Sequence, residues 1–348
     1  MPNEIRKDYL LNRWVIIAAE RLRRPSDFAI KRVEKAKVKT CPFCPGNENM
    51  TPPAVLLYLP SNGGIQKTKD SNGKRPKGWL VRCVPNLYPA LQPLKKPPTF
   101  KQTDYHTRIA GTGYHEIIIE SPNHDEHPHV ARIQQIRLTL DLLIDRIEEI
   151  SSHSYIKFIS IFRNHGQEAG ASLSHAHSQL IATPIVPTQI SDEVEASKKY
   201  YEKESKCAYC DLLNEEMLGP RKIYEEKNFA VFAPWASVYS FEFWIIPKRH
   251  QISLTNMTET EKNSLARTIR SCFGGLAKLL NDPPYWYGFH IAPYGMESNH
   301  FHWHLEVYPK LGIHAGFENS TGMYINVMPP ETAATHLREF VENEKLAI

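Results

Sequence analysis

Two stretches of this 348-residue chain repeat the same cysteine and histidine landmarks in the same order. Each stretch carries a Cys-x-x-Cys pair, then an apolar, strand-like run that ends at a histidine, and then a His-x-His motif. The histidine and the motif are 51 residues apart in the first copy (His124 to His175) and 52 in the second (His250 to His302). Matched landmarks at nearly equal spacing indicate an internal duplication, so the fold must be built from two copies of one unit.

Between its histidines, each copy has a helical segment followed by two strands. Residues 133–150 carry apolar side chains at helical spacing, and the sequence TETE at 258–261 is a capping box that starts a second helix, which runs to about Leu280. Strands are predicted at 155–164 and 285–293, each followed by the His-x-His strand. This order predicts an α+β fold in which helices pack on antiparallel sheet.

The duplication also predicts two domains in a chain of this length. We expect residues 1–190 to form an N-terminal unit with a reactive site and residues 191–348 to form a C-terminal unit with a degenerate one. The first copy has a longer interval between its Cys-x-x-Cys pair and its histidine. The additional residues fall largely in 59–100, a Pro-, Lys- and Gly-rich segment that predicts an inserted loop.

Composition excludes several classes of protein. Apolar residues make up 41% of the chain and charged residues 23%, as in ordinary globular proteins. The net charge of +4 is small and the basic residues are dispersed, which argues against nucleic-acid binding as the main activity. No apolar run reaches the length of a membrane span, and the first residues have no apolar signal segment. We therefore expect a cytoplasmic protein with no membrane partner.

The first copy has a small-residue loop in front of its His-x-His motif that the second copy lacks. Backbone N–H groups of such a loop can approach an anion; the loop residues are Gly166, Gly170, Ala171 and Ser172. Alternate side chains of a strand share one face, which places His175, His177 and Gln179 in one row. Because neutral imidazole is a good nucleophile, the stretch predicts a phosphate site beside a reactive histidine. A surface histidine cluster without function is the alternative.

The Cys-x-x-Cys pairs predict two structural zinc ions. Zinc prefers four nitrogen and sulfur ligands in a tetrahedron, and each pair supplies two of them. The predicted ligands are Cys41, Cys44, His124 and His175 in the first copy and Cys207, Cys210, His250 and His302 in the second. A redox role is the alternative, but the thioredoxin-like context that it needs is missing from the sequence. A zinc ion on His175 would also fix the direction of His177.

These motifs resemble those of the galactose-1-phosphate uridylyltransferase family, a branch of the histidine-triad superfamily with two fused copies of the fold. The resemblance extends over almost the whole chain, from the sequence NRWV at 12–15 to YIN at 324–326. It implies a tandem duplication of a histidine-triad-like fold. It further implies that His177 is the nucleophile that becomes nucleotidylated and that Gln179 contacts the phosphate.

The same resemblance implies a set of substrate-binding residues. They are Arg21, Arg24, Asn86, Asn164, Gly170, Ala171, Ser172, Phe317 and Glu318, in addition to Gln179. Guanidinium groups suit phosphate geometry, although the two arginines could also belong to a solvated basic loop. A homodimer is expected, in which the segment around Phe317 and Glu318 reaches the active site of the partner.

The implied reaction is ping-pong transfer of a nucleoside monophosphate from a nucleotide sugar, UDP-glucose, to a hexose 1-phosphate. The second copy is expected to be unreactive, because Glu306 occupies the place of Gln179 and a carboxylate repels phosphate. Some family members bind a second metal with groups that would correspond to Glu193, His290 and His304. The Cys207 set is a competing site, and we favour it.

The chain departs from the common family motif, His-Pro-His-Gly-Gln, at Ala176 and Ser178. The sequence SHAHSQ is similar to that of a plant branch, the ADP-glucose phosphorylases, which transfer AMP to phosphate. The departure leaves the base and the acceptor open. Two other classes are also open: a nucleotide-sugar hydrolase, and a non-catalytic zinc protein that binds nucleotides or RNA.

Overall fold

The computed structural model describes residues 2–22, 24–28, 41–71, 73–94, 97–295 and 299–347. The strands are β1 (Glu4–Lys7), β2 (Trp14–Ile17), β3 (Leu56–Ser61), β4 (Gly64–Thr68), β5 (Val81–Pro85), β6 (Lys101–Gln102), β7 (Thr107–Arg108), β8 (Tyr114–Ile119), β9 (Phe158–His165), β10 (His177–Thr183), β11 (Lys222–Glu225), β12 (Phe229–Phe232), β13 (Phe243–Pro247), β14 (Tyr285–His290), β15 (His304–Pro309) and β16 (Tyr324–Asn326). The helices are α1 (Ile133–Ser151), α2 (Thr188–Glu204), α3 (Ala208–Glu216), α4 (Glu259–Leu280), α5 (Gly316–Thr321) and α6 (Pro330–Ala347). Within these residues, no helix combines the length and apolarity that crossing a bilayer requires.

One eleven-stranded sheet carries both copies of the unit. Its strand order is β11-β12-β13-β15-β14-β9-β10-β8-β5-β3-β4. Reading outward from the centre, β14, β15 and β13 of the second copy mirror β9, β10 and β8 of the first. All the pairings within this sheet are antiparallel, and the central one, β9 with β14, aligns Asn164 with Trp286. The expected α+β fold with a tandem duplication is confirmed.

Both long helices form as the periodicity predicts. Helix α1 begins at Ile133, and Thr258 caps α4 through the reciprocal side-chain bonds of a capping box with Glu261. Asn281 ends α4 in the left-handed conformation, with φ of 60°. Helices α1 and α4 contact each other, and their apolar faces belong to one hydrophobic cluster that spans both copies. Because the copies share this core and the central strand pair, the division at residues 190 and 191 stays a prediction.

Two features of the sheets were not expected: the strands within residues 59–100, and a separate three-stranded sheet. The segment predicted as an inserted loop contains β4 and β5, so that expectation is wrong for these strands within residues 59–100. A turn at Asn62-Gly63, with φ of +97° at the glycine, joins β3 to β4. The signal for this hairpin was present, since Asn-Gly favours tight turns between strands. The N-terminal strands β1 and β2 pair with β16 near the C-terminus, so they lie outside the large sheet.

Helix α4 approaches α6 closely at Gly275. A methyl group built on this glycine would lie 2.6 Å from Cγ2 and 2.8 Å from the backbone nitrogen of Val341. In an open helix, replacing Gly by Ala stabilises by about 1 kcal/mol. Here we expect Gly275→Ala to lower the free energy of unfolding by about 1–3 kcal/mol, because a backbone atom must move. Urea denaturation measures the change. Gly312→Ala, where nothing lies within 4 Å, is the matched control; equal stability of the two variants would contradict the packing argument.

Candidate functional site

His177 begins β10 and is 5% exposed. Its Nδ1 lies 2.7 Å from the backbone carbonyl oxygen of His175 and donates to it, since a carbonyl can only accept. The proton is therefore on Nδ1, and Nε2 keeps its lone pair. Burial lowers the pKa of His177, which favours this neutral form. The ring of Phe43 packs edge-on against the imidazole at 5.4 Å between centroids.

Gln179, two residues further along β10, is oriented by His115 on β8. The backbone N–H of Ala90 donates to Nδ1 of His115 at 3.1 Å, so the proton of this imidazole is on Nε2. That nitrogen lies 3.0 Å from Oε1 of Gln179 and donates to it. The Nδ2 amide of Asn86 lies 3.1 Å from the same His115 nitrogen, and its Oδ1 accepts from the N–H of Tyr88. The amide NH₂ of Gln179 is thereby left to face a ligand.

His115 was not predicted from the sequence. It shares the period-two alternation of β8, which places it on the same face as residues 117 and 119. Ile119 pairs directly with His177, so that face continues into the histidine row. The alternation was therefore the available signal, although only the strand register shows which β10 residue His115 reaches.

The small-residue loop follows β9 directly. Gly166 and Gly170 have φ of +83° and +88°, which only glycine adopts without strain. A methyl group on Gly170 would lie 3.4 Å from the side-chain amide of Asn164, so the loop and this asparagine are neighbours. The N–H of Gly170 donates to Gln167, and the N–H of Ala171 donates to Gly166. These two donors are satisfied within the loop in this conformation, and exposed Ser172 is the next candidate.

The opposite face of β10 carries a buried polar network. The hydroxyl of Ser178 donates to Glu120, and Glu120 forms an ion pair with Arg163. Arg163 also donates to the backbone carbonyl of His177 at 3.2 Å and contacts Nδ1 of His127 at 2.8 Å. Ser178, one of the two departures from the family motif, therefore faces away from the histidine row and belongs to the network that holds the backbone of His177.

The predicted metal ligands of the first copy converge. Cys44 Sγ lies 3.4 Å from Nδ1 of His124 and 3.5 Å from Nδ1 of His175, and Cys41 Sγ lies 3.6 Å from the latter. The ligands of a tetrahedral zinc ion are separated by about 3.6 Å when one is sulfur and the other nitrogen. Nε2 of His175 lies 2.8 Å from the carbonyl of Ser121, which directs the Nδ1 lone pair toward the cysteines.

The ligands predicted in the second copy converge in the same way. Cys210 Sγ lies 3.6 Å from Nδ1 of His250 and 3.5 Å from Nδ1 of His302, and Cys207 belongs to the same group. Nε2 of His250 lies 2.8 Å from the carbonyl of Asn299, which directs the Nδ1 lone pair of His250 toward the cysteines. A hydrogen bond from the Cys210 thiol, together with contacts to both imidazoles, lowers the pKa of Cys207 to about 2. Both donor sets therefore fit zinc.

The second copy places two carboxylates at positions where the first copy has neutral side chains. By strand register, Glu306 corresponds to Gln179, Glu242 to His115 and His290 to Asn164. Burial and the charge of Glu306 raise the pKa of Glu242 to about 8. Nε2 of His290 lies 3.4 Å from Glu306, and its Nδ1 lies 3.0 Å from Glu193. The carboxylates make this face of the second copy acidic, which would repel a phosphate; that the second copy is unreactive stays a prediction.

Glu193, His290 and His304 form a group separate from the Cys207 group. His302 and His304 are two residues apart, and His302 belongs to the Cys207 group whereas His304 belongs to the Glu193 group. The two metal sites that the sequence set in competition are therefore geometrically compatible.

The remaining predicted substrate residues lie away from this row. Arg21 and Arg24 are exposed and follow β2, which packs beside residues 235–239 of the second copy. Phe317 and Glu318 lie on α5, where Phe317 is exposed and Glu318 is half-buried. The adjacent His314 stacks on Tyr239 at 4.5 Å between centroids. Within the described residues, no contact connects these four side chains to His177.

Residues 121–346 match a family described as a domain of unknown function, DUF4921. The ADP-glucose phosphorylase of Arabidopsis thaliana is 36% identical over 345 residues, which cover 97% of this chain and 92% of that protein. The galactose-1-phosphate uridylyltransferase of Thermotoga maritima is 30% identical and covers 97% of this chain and 98% of its own length.

Solved structures agree with these relatives. The crystal structure of the Arabidopsis thaliana ADP-glucose phosphorylase with bound ADP-glucose superposes with a TM-score of 0.79 at 33% identity, covering 97% of this chain and 99% of that one. A uridylyltransferase structure superposes with a TM-score of 0.74 at 25% identity, covering 98% and 99%. DUF4921 matches residues 121–346, and the ADP-glucose phosphorylase and the uridylyltransferase both align over nearly their full lengths. The chain therefore belongs to the galactose-1-phosphate uridylyltransferase family of nucleotidyl- and phosphate-transfer enzymes.

Proposed function

We propose that this protein is a nucleotidyltransferase that carries a nucleoside monophosphate on Nε2 of His177 between a nucleotide sugar and a phosphate-bearing acceptor. The observation that carries the proposal is the bond from His177 Nδ1 to the carbonyl of His175. It leaves Nε2 as the nucleophilic nitrogen, in a row with an amide donor on Gln179. A surface histidine cluster would have no reason to be 95% buried with one defined tautomer.

In the first half-reaction, the Nε2 lone pair attacks the α-phosphorus and the bond from phosphorus to the bridging oxygen breaks. The sugar 1-phosphate leaves with the electron pair of that bond. In the second half-reaction, a phosphate oxygen of the acceptor attacks the same phosphorus and returns the electron pair to Nε2. The carbonyl of His175 accepts a hydrogen bond from the cationic imidazole throughout, and Gln179 donates to the oxygens on which charge develops.

The other substrate residues would serve the phosphates and the nucleotide. Asn86 is held beside His115, and Asn164 lies beside Gly170 at the loop, so both face the histidine row. Arg21 and Arg24 are proposed to neutralise the flanking phosphate. Phe317 is 43% exposed on α5, which supports the proposal that this segment serves a partner subunit in a homodimer.

We propose that Cys41, Cys44, His124 and His175 hold one structural zinc ion and that the Cys207 set holds another. With four protein ligands, such an ion supplies rigidity and leaves no position for substrate. Its contribution is geometric, because His175 would be fixed as a ligand while its carbonyl orients His177.

Of the two nucleotides, adenine is favoured by the greater similarity to ADP-glucose phosphorylase, at 36% identity against 30% for the uridylyltransferase of Thermotoga maritima. We therefore propose adenylyl transfer from ADP-glucose to phosphate. Uridylyl transfer from UDP-glucose to a hexose 1-phosphate, which the sequence put first, is the second candidate, because its relative aligns over an equal share of the chain.

Incubation with ADP-glucose is expected to release glucose 1-phosphate and leave an adenylyl group on the protein. Intact-mass spectrometry measures the adduct, and UDP-glucose in a parallel sample decides the base. His177→Ala should abolish the adduct, since the attacking nitrogen is gone, while the exposed control His106→Ala should retain it. Adduct formation by His177→Ala would contradict the proposed nucleophile. Release of AMP in the absence of any acceptor would identify a hydrolase.

The orienting role of His115 is testable with a double-mutant cycle. Gln179→Ala removes a donor to the developing charge and should slow adduct formation by about 10²-fold. His115→Ala lets the carboxamide rotate, and we expect about a tenfold loss from misplacement. In the Gln179→Ala background, His115→Ala should cause little further loss, because its effect acts through Gln179. Multiplication of the two losses in the double variant would contradict this coupling.

Metal content tests the zinc proposal. The wild-type protein should contain two tightly held zinc ions per chain by elemental analysis. His175→Ala and His302→Ala should each lose one and unfold at lower temperature, because the remaining three ligands hold the ion weakly. His177→Ala should keep both, since His177 does not belong to the group of Cys41, Cys44, His124 and His175. Retention of both ions by His175→Ala would rule out this residue as a ligand.

A further inference from the structure

A third group of histidine and carboxylate side chains lies at the junction of the two copies. His129 comes from the segment between β8 and α1, His165 ends β9, and Asp282 lies in the turn between α4 and β14. One nitrogen of each imidazole and one carboxylate oxygen all lie within 4.8 Å of one another. Three separate segments therefore bring metal-ligand atoms to one point.

The distances between these ligand atoms agree with those around a bound metal ion. Oδ1 of Asp282 lies 2.9 Å from Nε2 of His165 and 3.6 Å from Nδ1 of His129. Nitrogen and oxygen ligands of a tetrahedral zinc ion are about 3.4 Å apart, between these two values. The two Cys₂His₂ groups agree with zinc geometry in the same way, because their sulfur-to-nitrogen distances of 3.4 to 3.6 Å lie close to the separation expected for zinc ligands.

His129 offers an unsatisfied nitrogen to this point. Its Nδ1 is buried and makes no hydrogen bond within the part of the chain that the structure describes. A buried polar atom without a partner destabilises the fold, and a coordinated cation would remove that penalty.

The surroundings hold the three ligands in place. The ring of His165 stacks on Tyr285 at 4.8 Å between centroids. A methyl group on Gly166 would lie 2.7 Å from Cβ of Pro284, so the loop after His165 is packed tightly on the turn that carries Asp282. Asp282 has φ of 56°, a strained conformation for a residue other than glycine.

We propose that His129, His165 and Asp282 bind a divalent transition-metal ion, with Zn²⁺ as the best match to two imidazoles and one carboxylate. The side chains are 16%, 11% and 23% exposed, which leaves an approach for a fourth ligand, a water molecule or a phosphate oxygen. The neighbouring His127 is not counted as a ligand, because its Nδ1 is 2.8 Å from Arg163. The ion would connect the start of the first copy's loop to a turn of the second copy.

This site differs from the Cys₂His₂ pairs in its chemistry. It has no thiolate and only three protein ligands, so its ion should exchange more readily. Dialysis of the full-length protein against a mild chelator should therefore remove this ion first and leave the cysteine-bound ions. Calorimetric titration with Zn²⁺ then measures its rebinding, and titration with Co²⁺ gives an absorption spectrum that shows whether thiolate is a ligand.

Four variants assign the titrated ion. His129→Ala and Asp282→Asn should each weaken Zn²⁺ binding by at least about tenfold, since each removes a direct ligand. Asp282→Asn keeps the shape and a hydrogen bond to His165, so it decides the question if His129→Ala fails to fold. His106→Ala, an exposed histidine elsewhere, and Glu193→Gln, in the separate acidic group, should bind as the wild type does.

The outcomes separate this proposal from the proposed function, because no nucleotide takes part in the titration. Rebinding that is lost in His129→Ala and Asp282→Asn, with a Co²⁺ spectrum free of thiolate bands, supports the site. Wild-type affinity in both variants overturns it and leaves His165 and Asp282 as a hydrogen-bonded pair. Loss in Glu193→Gln alone also overturns it, because the titrated ion would belong to the acidic group.

Discussion

The antiparallel pairing of β9 with β14 is the constraint on which the rest of the structure depends. It joins the two copies into one sheet, so that α1 and α4 pack against a continuous core and not against two separate ones. It also places the last residue of β9 next to the turn before β14, where His165 meets Asp282. Since the loop of the first copy rests on that turn, the copy that carries His177 is supported by the other copy. Removing either copy would expose β9 or β14, the two strands at the centre of the sheet.

The two copies share backbone geometry and differ in charge. Corresponding positions hold Gln179 and Glu306 on β10 and β15, and the neighbours that contact them differ in the same sense. An amide NH₂ attracts a phosphate oxygen, whereas a buried carboxylate repels it and attracts a cation. One strand arrangement therefore carries the proposed phosphate site in the first copy and a histidine–carboxylate group in the second. The specialisation follows from a few side chains on one face of each strand, with no change in topology.

Much of the fold and of the metal sites could be predicted, because the signals are local or regularly spaced. The capping box at Thr258 and the periodicity of α1 depend on neighbours within a few residues, and the duplication fixed which histidine belongs to which cysteine pair. His115 could not be assigned a partner, since its contact with Gln179 depends on the register of two strands 64 residues apart. The β3–β4 hairpin was missed for a different reason: β4 is an exposed edge strand, and its polar sequence resembles a loop.

The orientation of the His177 side chain and the position of its backbone result from contacts on both faces of β10. On one face, the carbonyl of His175 accepts from Nδ1 while the His175 imidazole points at the cysteines. On the other face, Arg163 donates to the carbonyl of His177, and its charge is balanced by Glu120. The imidazole of His177 and its backbone carbonyl are thus held by different groups, so rotation of the ring would break the bond to the His175 carbonyl while Arg163 still holds the backbone. Such rigidity suits the in-line attack that is proposed for this residue, because an error of about 1 Å in the position of a nucleophile costs about 10²-fold in rate.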